Sequence, residues 1–377
     1  MLMLEILAIL GLAGVVGLLY GRSRPSPSNK PSRVGTPEVS PTPRIERPLN
    51  VAQLQAVRNA LAEKLWSAVF GASSRVACTV PERDAAREAV LAALKATTPN
   101  SRHLPRRPDL LTTLIAAIRS ARSSGEQIAR IIGQDPVLTA DVLRLSNSAL
   151  YRATSSPVES IQRAVAICGD DGLQALVTTA MLQPIFRASS KNFPLFPSVL
   201  WERTETAARA AEIYARDIRR EDRFEAQLLA LLSALGPLAV YRVLIDHYAI
   251  RPALAPDPGV FKTLIREFGP AMAHRVAEHW DVPPRLLAAL EGGASEGLSA
   301  ALAVGELFAT LGQLESRSLF TLEESLDYGR KAEIPEELFV HMQRRLMGKF
   351  KTTEGVKTTY SPARARLAGS LTAEASA

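Results

Sequence analysis

The sequence has few side chains that bind metals, with two cysteines and five histidines in 377 residues. Cys78 and Cys168 are ninety positions apart, and neither forms a CxxC or Cys/His cluster, which argues against a zinc knuckle or a disulfide framework. The chain also lacks a GxxxxGK[ST] phosphate loop, a GxSxG nucleophile elbow and a GxGxxG motif after a strand. We therefore expect no metal, no cofactor and no catalytic residue of these classes.

Positive charge is concentrated at the two ends of the chain, which has a net charge of +7. Residues 1–49 contain six Lys/Arg against three Asp/Glu, and residues 341–377 contain seven against two, so the middle has a net charge of −1. A nucleic-acid-binding domain carries its basic patch on the folded part. We expect no nucleic-acid partner, because flanking basic segments suit an anionic membrane surface better.

The first twenty residues form an apolar run whose one charge is Glu5. Nineteen helical residues span about 28 Å, close to the thickness of a bilayer core. Because Arg22 and Arg24 follow the run, we predict an uncleaved anchor over 1–21 with its N-terminus outside. An unusual signal peptide and a buried helix remain open alternatives. Glycines at 11, 14, 17 and 21 would allow two anchors to pair as a homodimer, although glycine is also common in such helices.

The rest of the chain predicts a Pro/Ser/Arg-rich linker followed by an all-α body. Amphipathic helices with repeated start signals fill this body, and no segment alternates like a strand. The predicted starts are Ser123 with Glu126, Asp135-Pro136, Ser156-Pro157 with Glu159, and Thr321 with Glu324. The predicted segments are a linker at 22–49, a helical pair at 50–103 that either packs on the body or forms a stalk, a domain at 104–293, C-terminal helices packing on it at 294–348, and a basic, disordered tail at 349–377.

A specific pattern over 104–293 resembles the HDOD family, the HD-related output domains of bacterial signalling proteins. The resemblance implies a multi-helix HD-like fold and protein partners in signalling. Together with the anchor and the positive-inside rule, it predicts a single-pass protein of the bacterial inner membrane, with the N-terminus periplasmic and the domain cytoplasmic. The stretches that carry it are Leu104-Pro105, IARIIGQDPVLTADVLRLSNSALY at 128–151, Ser156-Pro157-Val158-Glu159-Ser160-Ile161, Leu200-Trp201, LLALLSALGPLAVYRVL at 228–244, Glu267-Phe268-Gly269 and Trp280-Asp281-Val282-Pro283.

The resemblance also implies that the metal ligands of HD phosphohydrolases are degenerate here. Where the family has its His-Asp pair, this chain has Ser233 and Ala234, and Gly269, Gly292 and Gly293 stand where the family often has histidine. Serine, alanine and glycine cannot supply the imidazole and carboxylate ligands of a binuclear site. We therefore expect a non-catalytic scaffold.

Two alternatives use the same region: a divergent phosphohydrolase with leftover histidines, and a nucleotide sensor that uses a vacated pocket near Ser233, Gly269 and Gly292. The leftover histidines His247, His274 and His279 are expected to be surface or interface residues, because their spacing does not share one helical face. His103 and His341 are expected to stand alone.

Two further groups of residues have both a structural and a functional interpretation. Asn147 suits backbone bonding at a helix end, and the alternative is that Asn147 and Tyr151 line a partner or ligand groove. The charged run at 216–223 suits a solvated helix end, and the alternative is a clamp for a nucleotide phosphate.

Overall fold

The computed structural model describes 42–43, 45, 48–70, 79–95, 105, 108, 111, 125–152, 156–187, 190–251, 256–292 and 296–347. These all belong to the second of two units in the chain, which spans 42–377. The predictions for the anchor at 1–21, for most of the linker at 22–49 and for the tail at 349–377 lie outside the described residues. The same holds for those that concern Ser123, His103 and Gly293.

The domain is all-α, as predicted, with no strand in the described ranges. The chain also forms a 3₁₀ turn at Gln183–Phe186 and a π-helical turn at Ala215–Arg219. The helices of the described part are α1 (Val51–Phe70), α2 (Val80–Lys95), α3 (Gly125–Ile132), α4 (Pro136–Ser146), α5 (Ile161–Leu182), α6 (Phe196–Tyr214), α7 (Arg223–Ala249), α8 (Pro258–His279), α9 (Pro284–Leu290), α10 (Glu296–Ser316), α11 (Leu322–Lys331) and α12 (Glu336–Met347).

Helix α7 lies at the centre of the core and packs most extensively against α8 and α6. Helix α10 packs against the other side of α6 and against α1. By length and hydropathy, α7 and residues 297–316 of α10 would each be able to span a membrane, but 78% and 89% of their most apolar windows are buried inside the fold. Burial of this extent is what core helices of a globular domain show.

Capping residues fix several helix starts as the sequence predicts. Asp135 Oδ1 accepts hydrogen bonds from the backbone nitrogens of Val137 and Leu138, at 2.9 and 3.0 Å, and Pro136 takes the first helical position. Thr321 and Glu324 form the predicted reciprocal capping box at the start of α11. Such caps satisfy backbone N–H groups that have no partner within the helix.

The predicted start at Ser156-Pro157 is wrong. Helix α5 begins at Ile161, and Ser160 is its N-cap, with Oγ accepting from the backbone nitrogen of Arg163 at 3.1 Å. The physical reason is Asn147, which bonds both backbone groups of Val158 and so holds the preceding segment out of the helix. Helix α5 has a kink at Gly169, which has φ 70° and ψ 179°, a backbone conformation that favours glycine.

The helical pair before the domain packs on the body. Helix α1 contacts α10 and α8, and α2 contacts α7 and α8. Arg87 of α2 forms an ion pair with Glu267 of α8, and its guanidinium lies 5.5 Å from the ring centroid of Phe268. Trp280 Nε1 donates a hydrogen bond to the carbonyl oxygen of Pro105 at 3.0 Å. Helix α2 therefore packs on the middle of α8, and Pro105 is bonded to the residue that follows α8.

Candidate functional site

The centre of α7 carries Ser233 and Ala234, which the sequence resemblance predicts to stand in place of a His-Asp pair. Ser233 Oγ lies 2.9 Å from the carbonyl oxygen of Ala230 and 3.2 Å from Oε1 of Glu306 on α10, and its single proton is available to either acceptor. Ala234 is buried and has no polar side-chain atom. The position therefore presents one hydroxyl, within hydrogen-bonding distance of a neighbouring helix.

Glu306 is a buried carboxylate, 6% exposed, that the sequence did not single out. Arg58 of α1 forms an ion pair with it, and Arg203 of α6 contributes a further positive charge. Burial acts to raise the pKa of Glu306, but Arg58, Arg203 and the hydrogen bond from Ser233 together lower it below its usual value. The carboxylate is therefore ionised, and protein cations already neutralise its charge.

Arg203 brings a second guanidinium to this cluster. Its buried Nε has no hydrogen-bond partner, and burial lowers the pKa of Arg203, an effect that the attraction of Glu306 opposes. Glu306 therefore forms an ion pair with the guanidinium of Arg58, and the charge of a second guanidinium, that of Arg203, also acts on it. We call Arg58, Arg203, Ser233 and Glu306 the central charged cluster. Sequence reasoning missed it because its members come from four helices far apart in the chain.

Gly269 lies where α7 and α8 cross closely. A Cβ atom at Gly236 of α7 would overlap the carbonyl oxygen of Gly269 and lie 2.7 Å from the backbone nitrogen of Ala273. A Cβ at Gly269 itself would lie 3.5 Å from the ring of Pro237. Pro237 thus occupies the space in front of Gly269.

Gly292 has a different environment, in an exposed turn after α9 with φ +78° and nothing within 4 Å of an added Cβ. Ser233 faces buried Glu306 and Gly269 faces Pro237. The three positions expected around a vacated pocket therefore have different surroundings.

The histidines differ from expectation at two positions. His247 is buried, 4% exposed, and not a surface residue; its Nδ1 lies 3.2 Å from Nη1 of Arg251. His341 does not stand alone, since its Nε2 lies 3.0 Å from Oδ2 of Asp217. His274 Nε2 lies 3.2 Å from Oε1 of Glu291. Among the side chains that the structure places, no group of three or more His, Cys, Asp or Glu is arranged to hold a metal ion.

Asn147 and Tyr151 both make contacts within the fold. Asn147 Nδ2 donates to the carbonyl oxygens of Leu143 and Val158, both at 2.9 Å, and Oδ1 accepts from the backbone nitrogen of Val158 at 2.8 Å. The half-buried Tyr151 has its hydroxyl 3.3 Å from Oγ1 of Thr179. The structural role predicted for Asn147 is present, and a groove at these residues stays a prediction.

A polar network continues inward from Tyr151. Gln227 Nε2 on α7 donates to Thr179 Oγ1, at 3.1 Å, and to the carbonyl oxygen of Ala175, at 2.9 Å. Near Tyr151, burial and the charge of Glu202 raise the pKa of Glu205 to about 7, while Arg144 opposes the shift. Helices α5, α6 and α7 thus enclose polar groups in an otherwise apolar core.

The charged run at 216–223 forms the π-helical turn after α6 and the start of α7. Arg216 and Arg345 form ion pairs with Asp217, at 2.6 and 3.2 Å, and Arg223 pairs with Asp171 of α5. Beside the run is a cavity of about 290 Å³. Four carboxylates and one arginine line it, a balance that does not favour the predicted phosphate clamp.

Together these observations define an all-helical domain that has a charged cluster at its centre and no set of metal ligands among the residues the structure describes. The HDOD domain model matches residues 104–292, half of the chain, and the chain belongs to the HDOD family. No curated protein matches it.

Solved structures match this chain at low identity and with TM-scores below 0.5. An HDOD domain protein of unknown function from Geobacter sulfurreducens is 21% identical, over 69% of this chain and 93% of that one, with a TM-score of 0.49. A protein from Shewanella amazonensis SB2B, named as a candidate phosphohydrolase, is 20% identical over 69% and 97%, with a TM-score of 0.47. A second one from that organism, named as metal-dependent, is 21% identical over 78% and 98%, with a TM-score of 0.42.

Proposed function

We propose that this HDOD protein is a non-catalytic signal-transduction scaffold, which binds protein partners and is held at the bacterial inner membrane by residues 1–21. The observation that carries the proposal is the central charged cluster. At the position of the family's His-Asp pair, a serine hydroxyl lies 3.2 Å from a carboxylate that two arginines already neutralise.

The residues at this position do not fit a divalent metal. A hydrolytic metal centre needs several imidazole and carboxylate ligands with free lone pairs. Here Ser233 offers a hydroxyl, Ala234 offers nothing, and Glu306 is paired with Arg58. A divalent cation at Glu306 would also have two guanidinium groups close by, and like charges repel strongly in a medium of low dielectric constant. We therefore derive no hydrolytic step for this chain.

The membrane assignment in this proposal rests on the sequence. An apolar run long enough to cross a bilayer precedes several basic residues, and the positive-inside rule then puts the folded domain in the cytoplasm. Partner proteins would approach the surface that carries Tyr151, whose neighbour Asn147 uses its amide within the fold.

The test uses the full-length chain, purified in a non-ionic detergent. We expect no hydrolysis of cyclic dinucleotides, nucleotides or bis-p-nitrophenyl phosphate with Mn²⁺, Fe²⁺ or Mg²⁺, and no stoichiometric metal on elemental analysis. Hydrolysis that requires metal and is lost in His247→Ala or His274→Ala would overturn the proposal in favour of a divergent phosphohydrolase. A melting temperature raised by nucleotides without hydrolysis would favour a nucleotide sensor, since a ligand that binds the folded state stabilises it.

Partner binding needs its own measurement. We expect crosslinking in native membranes to capture the same proteins on the wild-type chain and on Cys168→Ser, a conservative control at a half-buried residue of α5, and to lose them on Tyr151→Ala. Capture that does not depend on Tyr151 would place the partner surface elsewhere, and capture of no protein at all would contradict the scaffold function.

A further inference from the structure

The cavity beside the charged run is lined almost entirely by polar groups. It lies between α5, the last turn of α6 and the first turn of α7, and it has a volume of about 290 Å³. Its walls include one basic side chain, four acidic side chains and an amide, which come from Asp171, Gln174, Glu212, Glu221, Asp222 and Arg223.

Gln174 is the feature of this cavity that the fold does not explain. It is 7% exposed and it lines the cavity, yet its side-chain amide makes no hydrogen bond to any residue the structure describes. Gln227, the other amide in the cavity wall, donates two hydrogen bonds from its Nε2 within the fold. The free amide of Gln174 points to a group that binds in the cavity.

Three of the four carboxylates around the cavity have an oxygen to spare, and the fourth, Glu212, is paired with Arg209 and Arg216. Asp171 uses Oδ2 for Arg223, Glu221 uses Oε2 for Arg285 at 2.7 Å, and Asp222 uses Oδ1 for the backbone nitrogen of Glu225 at 2.9 Å. The second oxygen of each accepts no hydrogen bond from the described part of the chain. Hydrogen-bond acceptors therefore outnumber donors in this cavity, and a ligand that satisfies them must donate several bonds.

The backbone holds Glu221 and Asp222 at the cavity by an unusual turn. The π-helical turn after α6 ends at Arg220, which has φ 54°, and the backbone nitrogen of Glu221 donates to the carbonyl oxygen of Ala215 at 3.1 Å. Single π turns occur frequently at functional sites, and a left-handed non-glycine residue costs free energy. The turn directs two acidic residues to the rim.

We infer that this cavity binds a guanidinium or alkylammonium group. A guanidinium carries five N–H donors and no acceptor, which complements several carboxylate oxygens and the carbonyl oxygen of Gln174. The same chemistry can come from a free small cation or from an arginine or lysine side chain of a partner protein. The second source rests on the proposed scaffold function, and the first does not.

Isothermal titration of the full-length chain with defined probes tests the inference. Agmatine and the α-N-acetylated amide of arginine are the cationic probes, and the α-N-acetylated amide of citrulline, which carries no charge, is the matched neutral probe. A peptide, acetyl-Gly-Arg-Gly-amide, represents a partner side chain. We expect the cationic probes to bind at least tenfold more tightly than the acetylated citrulline amide. A peptide that binds tighter than agmatine identifies a partner side chain as the source, and the reverse order identifies a small cation.

Variants locate the binding in the cavity. We expect Glu221→Gln and Gln174→Leu each to weaken binding at least fivefold, whereas Glu278→Gln removes an exposed carboxylate of α8 and should leave it unchanged. Glu221→Gln keeps the test valid if Gln174→Leu fails to fold. Equal binding by Glu221→Gln and Glu278→Gln, equal binding of the acetylated arginine and citrulline amides, or no binding of any cationic probe would each overturn the inference. Metal-dependent hydrolysis would overturn the scaffold function but would not contradict the binding of a cation in the cavity.

Discussion

Glu306 on α10 forms its ion pair with Arg58 on α1, a residue 248 positions earlier in the chain. Both partners lie outside the segment 104–292 that matches the family, and Glu306 lies 3.2 Å from Ser233 inside it. Helices that flank the family segment therefore bring charged side chains to Ser233, which the sequence resemblance predicts to stand where a metal ligand has been lost.

Replacing Glu306 tests how much the fold depends on this pair. In Glu306→Gln, the guanidiniums of Arg58 and Arg203 lose the charge that compensates them, and breaking a buried pair in this way costs about 3–5 kcal/mol. Glu267→Gln is the matched control, because the ion pair of Glu267 with Arg87 is exposed and such pairs contribute about 0–1 kcal/mol. Urea unfolding of the full-length chain measures both. Similar losses of unfolding free energy in the two variants would show that the buried ion pair stabilises the fold no more than the exposed one does.

Gly236→Ala should destabilise the crossing of α7 and α8. The added methyl would overlap the carbonyl oxygen of Gly269 and press on the backbone of Ala273, and overpacking of this kind typically costs about 1–3 kcal/mol. Gly312→Ala in α10 is the matched control. Nothing lies within 4 Å of its added Cβ, so this change should stabilise the protein by up to about 1 kcal/mol through helix propensity. Thermal unfolding should separate the two variants, and shifts of the same sign would contradict the close crossing.

Asn147→Ala should loosen the segment between α4 and α5. Loss of the amide leaves both backbone groups of Val158 without their partner, and an unsatisfied buried group costs about 1–3 kcal/mol. Ser198→Ala, which removes one exposed hydroxyl bond on α6, is the control and should change the free energy of unfolding little. If Asn147→Ala unfolds at the same urea concentration as the control, the residue is more readily explained by the predicted groove.

The buried His247 should make stability depend on pH. Burial, and then the charge of Arg251, lower the pKa of His247 below its usual value. The unfolded chain, with a histidine pKa of about 6.5, therefore takes up the proton first. The contribution of His247 to stability is full above about pH 6.5 and falls as the pH drops towards the lower folded pKa.

Melting temperatures between pH 8 and pH 5 measure this effect. We expect the drop at acid pH to be smaller in His247→Gln than in the wild-type chain. Ser198→Ala, which changes no titratable group, should keep the wild-type profile. A parallel profile for all three proteins would argue against a buried neutral imidazole.

Local sequence signals predicted most of the secondary structure. Asp135-Pro136 and the Thr321–Glu324 box act within one helical turn, so their geometry follows from the residue types alone. The start at Ser156-Pro157 was wrong because Asn147, nine positions earlier, holds Val158 in a non-helical conformation. A side chain that acts across a loop overrides a local capping signal.

Local sequence signals did not predict the central charged cluster or the histidine contacts. Arg58 and Glu306 meet only when α1 packs on α10, and His341 of α12 reaches Asp217 of the π-helical turn in the same way. The burial of His247 depends on its position in a core helix that is apolar on all sides. Helical periodicity reports which face of a helix is apolar, and it does not report which helices meet.

The contact between α10 and α6 limits how this protein can be divided. Gly305 of α10 lies so close to α6 that an added Cβ would come within 2.6 Å of the carbonyl oxygen of Ala207. A fragment cut at the limits of the family match would lack α10 and expose this alanine-lined face to water. Exposed apolar surface of this kind promotes aggregation. A truncated protein that keeps only 104–292 should therefore be insoluble. The helices that flank the family segment are needed to keep the domain soluble.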